Sequence, residues 1–214
     1  MTHVPDASRY GGYVDLARAQ RRGVDYEIVV ERRPASTVAI LAPHGGAIEN
    51  GTSEIARAIA GDEFNLYLLE GLRSSGNYRA LHLTSHRFDE PECLALIANC
   101  TVVLALHGCG GQDPRVLLGG RDTALRDRLA RAMADAGLDA AVDGHRFPAM
   151  QPTNICNRGA TGRGVQIELT NPLRVFAAAA PVIAATRAAL CALPGVDAES
   201  ATVRAAGETH AVAN

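Results

Sequence analysis

Residues 101–106, Thr-Val-Val-Leu-Ala-Leu, are apolar and rich in β-branched side chains, with no alternation. A strand with one wet face alternates; one that does not must be covered on both faces. This run therefore belongs in the middle of a sheet, with a layer packed on either side. Residues 26–31, 38–42, 64–70, 116–118 and 164–169 read as further strands, and 81–84 as a short one. Between them lie helical patterns. Residues 54–60 follow Thr52-Ser53 as cap, and residues 90–99 carry Pro91 in the first turn. In residues 122–136, Leu125, Leu129, Ala132 and Met133 share one face and Gly137 ends the helix. Residues 173–193 read as one Ala-rich helix opened by Pro172 and interrupted near Pro181. A short helix is expected around residues 15–20, within a polar segment spanning 1–23.

Strand and helix alternate, so the predicted fold is α/β: a three-layer sandwich, with a mixed, mostly parallel sheet and helices on both faces. Residues 1–194 are expected to form a single catalytic domain with its core at about 25–193, and 195–214 a flexible tail. Residues 143–163 are too long and polar for a mere connector, and loops of that kind often carry function.

Composition excludes several chemistries. All 21 basic residues are Arg, so there is no Schiff-base or Walker lysine, and anionic groups would meet planar guanidinium forks. A net charge of −2 argues against nucleic acid or an anionic membrane as partner. No run is long enough for a membrane span, and the N-terminus lacks a secretory pattern. A cytoplasmic location is the default expectation, although release by lysis would leave the same sequence. Five cysteines without a CxxC pair fit reduced thiols better than a disulfide framework or zinc ribbon. Neither a G-x-S-x-G elbow nor a G-x-G-x-x-G fingerprint is present.

The chemistry collects at strand ends. Ala42-Pro43-His44-Gly45-Gly46-Ala47-Ile48-Glu49 follows the second strand, and His107-Gly108-Cys109 follows the 101–106 run. Imidazole and carboxylate suit zinc, and four residues between His44 and Glu49 let the chain curl both side chains toward one point. The alternative is that His44 caps a turn, Glu49 is a solvated acid, and His107 is a satisfied core histidine. Glu168 shares a face with Gln166 inside the last strand, where a carboxylate is costly unless paired or beside a metal. As a general base it would serve a metal-activated water; its alternative is a solvent-facing acid on an edge strand. Cys109 has no orienting partner in the sequence to make it a nucleophile. Arg79, Arg121, Arg163 and Arg174 are candidate clamps for substrate carboxylates, with Arg163 preferred because it borders the strand carrying Glu168. Asn77, His82 and His86 are candidate pocket residues, His82 and His86 being also possible alternative ligands. His145 is open between roles, and His3 and His210 are expected to be solvated.

In order, the blocks Pro43-His44-Gly45-Gly46 with Glu49, Leu81-His82-Leu83-Thr84-Ser85, Phe88-Asp89-Glu90-Pro91, Leu106-His107-Gly108, Gly119-Gly120-Arg121-Asp122, Asn154-Ile155 and Gly164-Val165-Gln166-Ile167-Glu168-Leu169 resemble the poly-γ-glutamate hydrolase family. The resemblance covers about residues 25–190. It implies a fold similar to the zinc carboxypeptidases, one zinc ion, and an acidic peptide or poly-γ-glutamate as substrate. It also implies His44, Glu49 and His107 as zinc ligands and Glu168 as the catalytic carboxylate. The spacing of four residues between His44 and Glu49 differs from the His-x-x-Glu of the wider carboxypeptidase group. The expected activity is zinc-dependent hydrolysis of γ-glutamyl amides. The alternatives are an N-acyl amino-acid amidohydrolase and a non-catalytic metal-binding protein.

Overall fold

The computed structural model describes residues 9–194, so the tail expected at 195–214, like His3 and His210, lies outside the described residues. Seven strands form one sheet in the order β1-β3-β2-β4-β7-β5-β6. They are β1 (Tyr26–Glu31), β2 (Val38–Gly46), β3 (Asn65–Gly71), β4 (Val102–Cys109), β5 (Arg115–Gly119), β6 (Asp139–Ala141) and β7 (Val165–Thr170). The central strands β3, β2, β4 and β7 are parallel. At the flanks, β1 runs antiparallel to β3 and β5 antiparallel to β7, while β6 is parallel to β5. The sheet is thus mixed and mostly parallel, as the unalternated runs predict.

Both faces are covered. On one, α2 (Thr52–Ala60), α5 (Thr123–Asp135) and α6 (Ala180–Cys191) bring Ile55, Ile59, Leu129, Met133, Val182 and Leu190 against Ile40, Leu104, Leu106 and Ile167. On the other, α1 (Tyr13–Ala19), α3 (Asn77–Leu81) and α4 (Pro91–Ile97) bring Leu16, Leu81, Cys93 and Ile97 against Leu41, Tyr67, Val103 and Ala105. A side chain of this size withdrawn from water contributes about 1.5–3 kcal/mol. All six residues of β7 are buried, as a strand between two layers requires.

Two local expectations change, and one strand is new. Residues 81–84 form no ladder: α3 ends at Leu81, and His82, in extended conformation, opens an unpaired connection. The expected helix over 173–193 divides into a 3-10 turn at Asn171–Arg174 and α6, and Pro181 sits at the start of α6, where a missing N–H costs nothing. β6, three residues long, carries no sequence signal of its own. Capping of α2 differs as well. The residue before its first turn is Gly51, at φ +91°, and Ser53 Oγ accepts from the Gly46 N–H instead. Among the described residues no helix is long and apolar enough to cross a membrane.

Candidate metal and catalytic site

Because β2, β4 and β7 are parallel, their carboxyl ends open at one sheet edge, where α/β folds build their sites. In the β4–β7 ladder His107 stands opposite Glu168, which puts both side chains on the same face. β2 carries an irregularity between Ala42 and Gly45, a device that re-aims side chains, and His44 falls within it. The turn after β2 returns Glu49 to its own strand end, closed by the Glu49 N–H bond to the His44 carbonyl at 2.9 Å.

These groups converge. His44 Nδ1 lies 3.1 Å from Glu49 Oε1 and 3.1 Å from His107 Nδ1, and His107 Nδ1 lies 3.7 Å from Glu49 Oε2. The remaining atoms are tied down from outside. His44 Nε2 donates to the Leu83 carbonyl at 2.8 Å, Ser85 Oγ meets His107 Nε2 at 3.2 Å, and the Gly108 N–H donates to Glu49 Oε2 at 2.8 Å. A carbonyl can only accept, so the His44 proton is on Nε2 and its Nδ1 presents a lone pair to a carboxylate oxygen. Acceptor facing acceptor at that distance calls for a cation or an extra proton between them. Two imidazoles and a carboxylate, each held by an outer hydrogen bond, are a donor set that fits zinc. Burial alone would raise the Glu49 carboxyl, but the neighbouring His44 and His107 hold it well below the usual carboxylate range.

His82 comes closer than a pocket wall would. Its ring lies between His44 and Tyr78, with centroids 4.1 and 4.4 Å away, and its Nε2 is 3.7 Å from Glu49 Oε1. His44, Glu49 and His82 offer donor atoms within 4.8 Å of one another, a second possible triad beside the one with His107. Burial, with His44 beside it, pushes the His82 imidazole down to about 3, so it is neutral and its nitrogens are free to donate or ligate.

Glu168 is buried in an internal strand, so the alternative of a solvent-facing edge acid does not apply. Gln166 Nε2 donates to its Oε1 at 2.9 Å, and Asn154 Nδ2 in turn donates to Gln166 Oε1 at 2.9 Å. Burial, and after it the charge of Glu49, raises the Glu168 carboxyl to about 8. Burial, with Glu168 beyond it, also pushes the Cys109 thiol up to about 11, which leaves no thiolate for nucleophilic work.

The expected pocket residues disperse. Arg163 precedes β7, five residues and so about 16 Å of strand from Glu168, at the opposite end of the sheet. Arg121 lies at that same far end, bonded through its N–H to Asn157 and through its guanidinium to the Gly162 carbonyl. Arg174 covers Gly108 on the face of β4 away from His107, and donates to the Asn50 carbonyl and Asn171. Asn77 spends its amide on the Arg73 backbone, closing the loop before α3. Arg79 is exposed on α3. His86 borders a surface cavity of about 360 Å³ with Arg87, Asp89 and Arg158. Several contributors escaped the sequence: the Leu83 carbonyl, Ser85, the Asn154–Gln166 relay and Tyr78. Gln166 alone had a local signal, its shared face with Glu168.

A family model described as poly-gamma-glutamate hydrolase matches residues 10–188. The UPF0714 protein YndL of Bacillus subtilis (strain 168) is 40% identical over 148 residues, 68% of this chain and 58% of YndL. The chain thus spans just over half the length of that relative. A bacteriophage poly-gamma-glutamate hydrolase structure superposes with a TM-score of 0.80 at 33% identity, covering 84% of this chain and 95% of the other. A zinc-free structure of YndL gives a TM-score of 0.72 at 37% identity, covering 77% and 81%. The chain belongs to the poly-gamma-glutamate hydrolase family.

Proposed function

We propose that this member of the family is a zinc-dependent hydrolase of γ-glutamyl amide bonds, with His44, Glu49 and His107 as ligands and Glu168 as general base. One observation carries the proposal: both Nδ1 atoms and the Glu49 carboxylate converge within 3.1–3.7 Å, beside the buried Glu168 on the same sheet face. The zinc-free designation of the YndL structure supports zinc as the metal. His107 is preferred to His82 as third ligand because its far nitrogen is held by Ser85, as an outer partner holds a ligating imidazole, whereas His82 Nδ1 is buried without a partner.

A bound zinc supplies Lewis acidity toward water and toward the amide carbonyl. The chain supplies the rest. Glu168 takes the proton of the attacking water and returns it to the departing nitrogen. A carboxyl raised to about 8 is a poor base at neutral pH, but a cation at the adjacent donors favours its charged form. Gln166, fixed by Asn154, holds Oε1 so that Oε2 remains for the proton. The His82 ring and the half-exposed Tyr78 wall the site on the α3 side.

The test is metal analysis of the purified protein together with a size-shift assay on poly-γ-glutamate, with and without chelator. The expected result is one zinc per chain and chain shortening that chelation stops. Chelator-resistant shortening would reject the metal, and an uncut polymer together with uncut γ-glutamyl oligomers would reject the substrate. Zinc stoichiometry in His107→Ala and His82→Ala decides the third ligand, with loss expected in the first only.

A further inference from the structure

The arginine predicted to clamp the substrate, Arg163, is at the far end of the sheet, and another is carried by a loop that lies on the face bearing Gln166 and Glu168. Residues 145–148 run along the last residues of β5, from Leu118 to Gly120, beside Gln166 of the antiparallel β7. Gly119 pairs with Gln166 across the β5–β7 ladder, so its missing side chain lies on the face that carries Gln166 and Glu168. A Cβ there would sit 2.3 Å from the Phe147 carbonyl oxygen. The glycine therefore lets the loop lie directly on the catalytic face. His145 latches it: its Nε2 donates to the Leu118 carbonyl at 3.2 Å, and its Nδ1 accepts the Phe147 N–H at 3.2 Å. Pro148 adds a third tie, accepting from the Gly120 N–H at 2.9 Å.

Arg146 lies between these ties. It is exposed, and its guanidinium carbon is 5.0 Å from the Phe147 ring centroid. Among the described residues it makes no hydrogen bond or ion pair. Burial dominates at Glu168, Cys109 and Tyr78 and raises all three groups, yet the Arg146 charge draws each of them down. Those groups sit on β7, β4 and α3, so a single guanidinium is felt from three sides of the site.

We propose that Arg146 is the receptor for the free α-carboxylate that flanks each γ-linked amide, and that it makes the site selective for γ-glutamyl chains over uncharged amides. The proposal rests on the γ-glutamyl substrate proposed above. A guanidinium with no carboxylate partner, carried by a pinned loop, is preorganised for a bidentate pair with a substrate carboxylate. A γ-linked glutamate carries that group next to the bond to be cut. His145 and Gly119 act through Arg146 and are positioning residues.

The experiment compares a γ-linked glutamyl oligomer with free α-carboxylates and the same oligomer with α-carboxamides. The zinc-loaded protein and its Arg146→Gln variant are assayed for kcat/KM on both. Binding of both oligomers is measured by calorimetry in the Glu168→Gln background, with and without the Arg146 change. The expected loss is about 10- to 100-fold on the free acid and less than about twofold on the amide, with zinc content unchanged. Equal loss on both oligomers, no loss on the free acid, or no binding of the free acid when Arg146 is present would each overturn the role. Arg146-dependent binding without cleavage by the unmodified protein would leave the receptor standing and reject the hydrolytic function instead.

Discussion

The floor of the site and its mouth are built by different means. On the floor, His44, Glu49, His107 and Glu168 are all buried at the ends of internal strands or in the turn that follows one. Their spare polar atoms, Glu168 Oε2 apart, are taken up by Leu83, Ser85, Gly108 and Gln166. At the mouth, Arg146 and Tyr78 are exposed and come from connections between elements and from a five-residue helix. The floor is over-determined by the sheet, because β pairing fixes His107 against Glu168 to within one residue. The mouth depends on loop ties that can change without disturbing the core. Such a division lets one scaffold keep the chemistry of its floor while its substrate varies.

The sharpest way to break this contrast is at the floor. Glu168→Gln removes the proposed base but keeps the shape and the Gln166 contact, so turnover should fall about 10²–10⁴-fold with zinc still bound. Single-turnover rates and metal content check this together, and retained turnover would move the base elsewhere.

The next effect is on stability against pH, measured by denaturant unfolding of chelator-treated protein. The Glu168 carboxyl rises from its ordinary 4.5 to about 8 in the folded chain. Below about 4.5 both folded and unfolded states hold the proton; between there and about 8 only the folded state does. Stability from this group is therefore present at low pH and lost as pH rises through about 8, by at most ~1.4 kcal/mol per pH unit. The Glu168→Gln variant should lose that slope, and an unchanged slope would show that other groups set it.

A smaller change is expected from Ser85→Ala, which removes the outer partner of His107 and leaves every donor in place. Zinc affinity by chelator competition should weaken about 10–100-fold. Smallest of all is Arg163→Ala. At the far end of β7 it should change kcat/KM on γ-glutamyl oligomers by less than about twofold, the scale of a surface substitution. A loss matching that of Arg146→Gln would erase the distinction between the two arginines.

The floor was largely legible. Unalternated runs placed the central strands, and His-Gly at their ends marked the opening edge, because a strand buried on both faces has few other reasons to end in those residues. Gln166 and Glu168 could be put on one face from period-two spacing alone. The mouth was not legible. The sequence favoured Arg163 because it borders the strand of Glu168, but adjacency in sequence does not say which end of a strand faces the site. Residues 81–84 looked like a strand; instead the chain from 81 to 85 runs past both histidines, offering the Leu83 carbonyl and Ser85 hydroxyl. A backbone carbonyl has no sequence signature as a ligand's partner.

The sequence by itself determined the fold class, the strands that open on the site, and the four residues of its floor, since periodicity and burial are local consequences of side-chain type. Only the tertiary structure decided that His82 comes as near to Glu49 as His107 does, that Arg121 and Arg163 stand at the far edge, and that the loop carrying Arg146 lies on the face of Gln166 and Glu168. Those outcomes depend on how loops cross the sheet. That is fixed by contacts between residues far apart in the chain, such as Gly119 against Phe147, which no local pattern encodes.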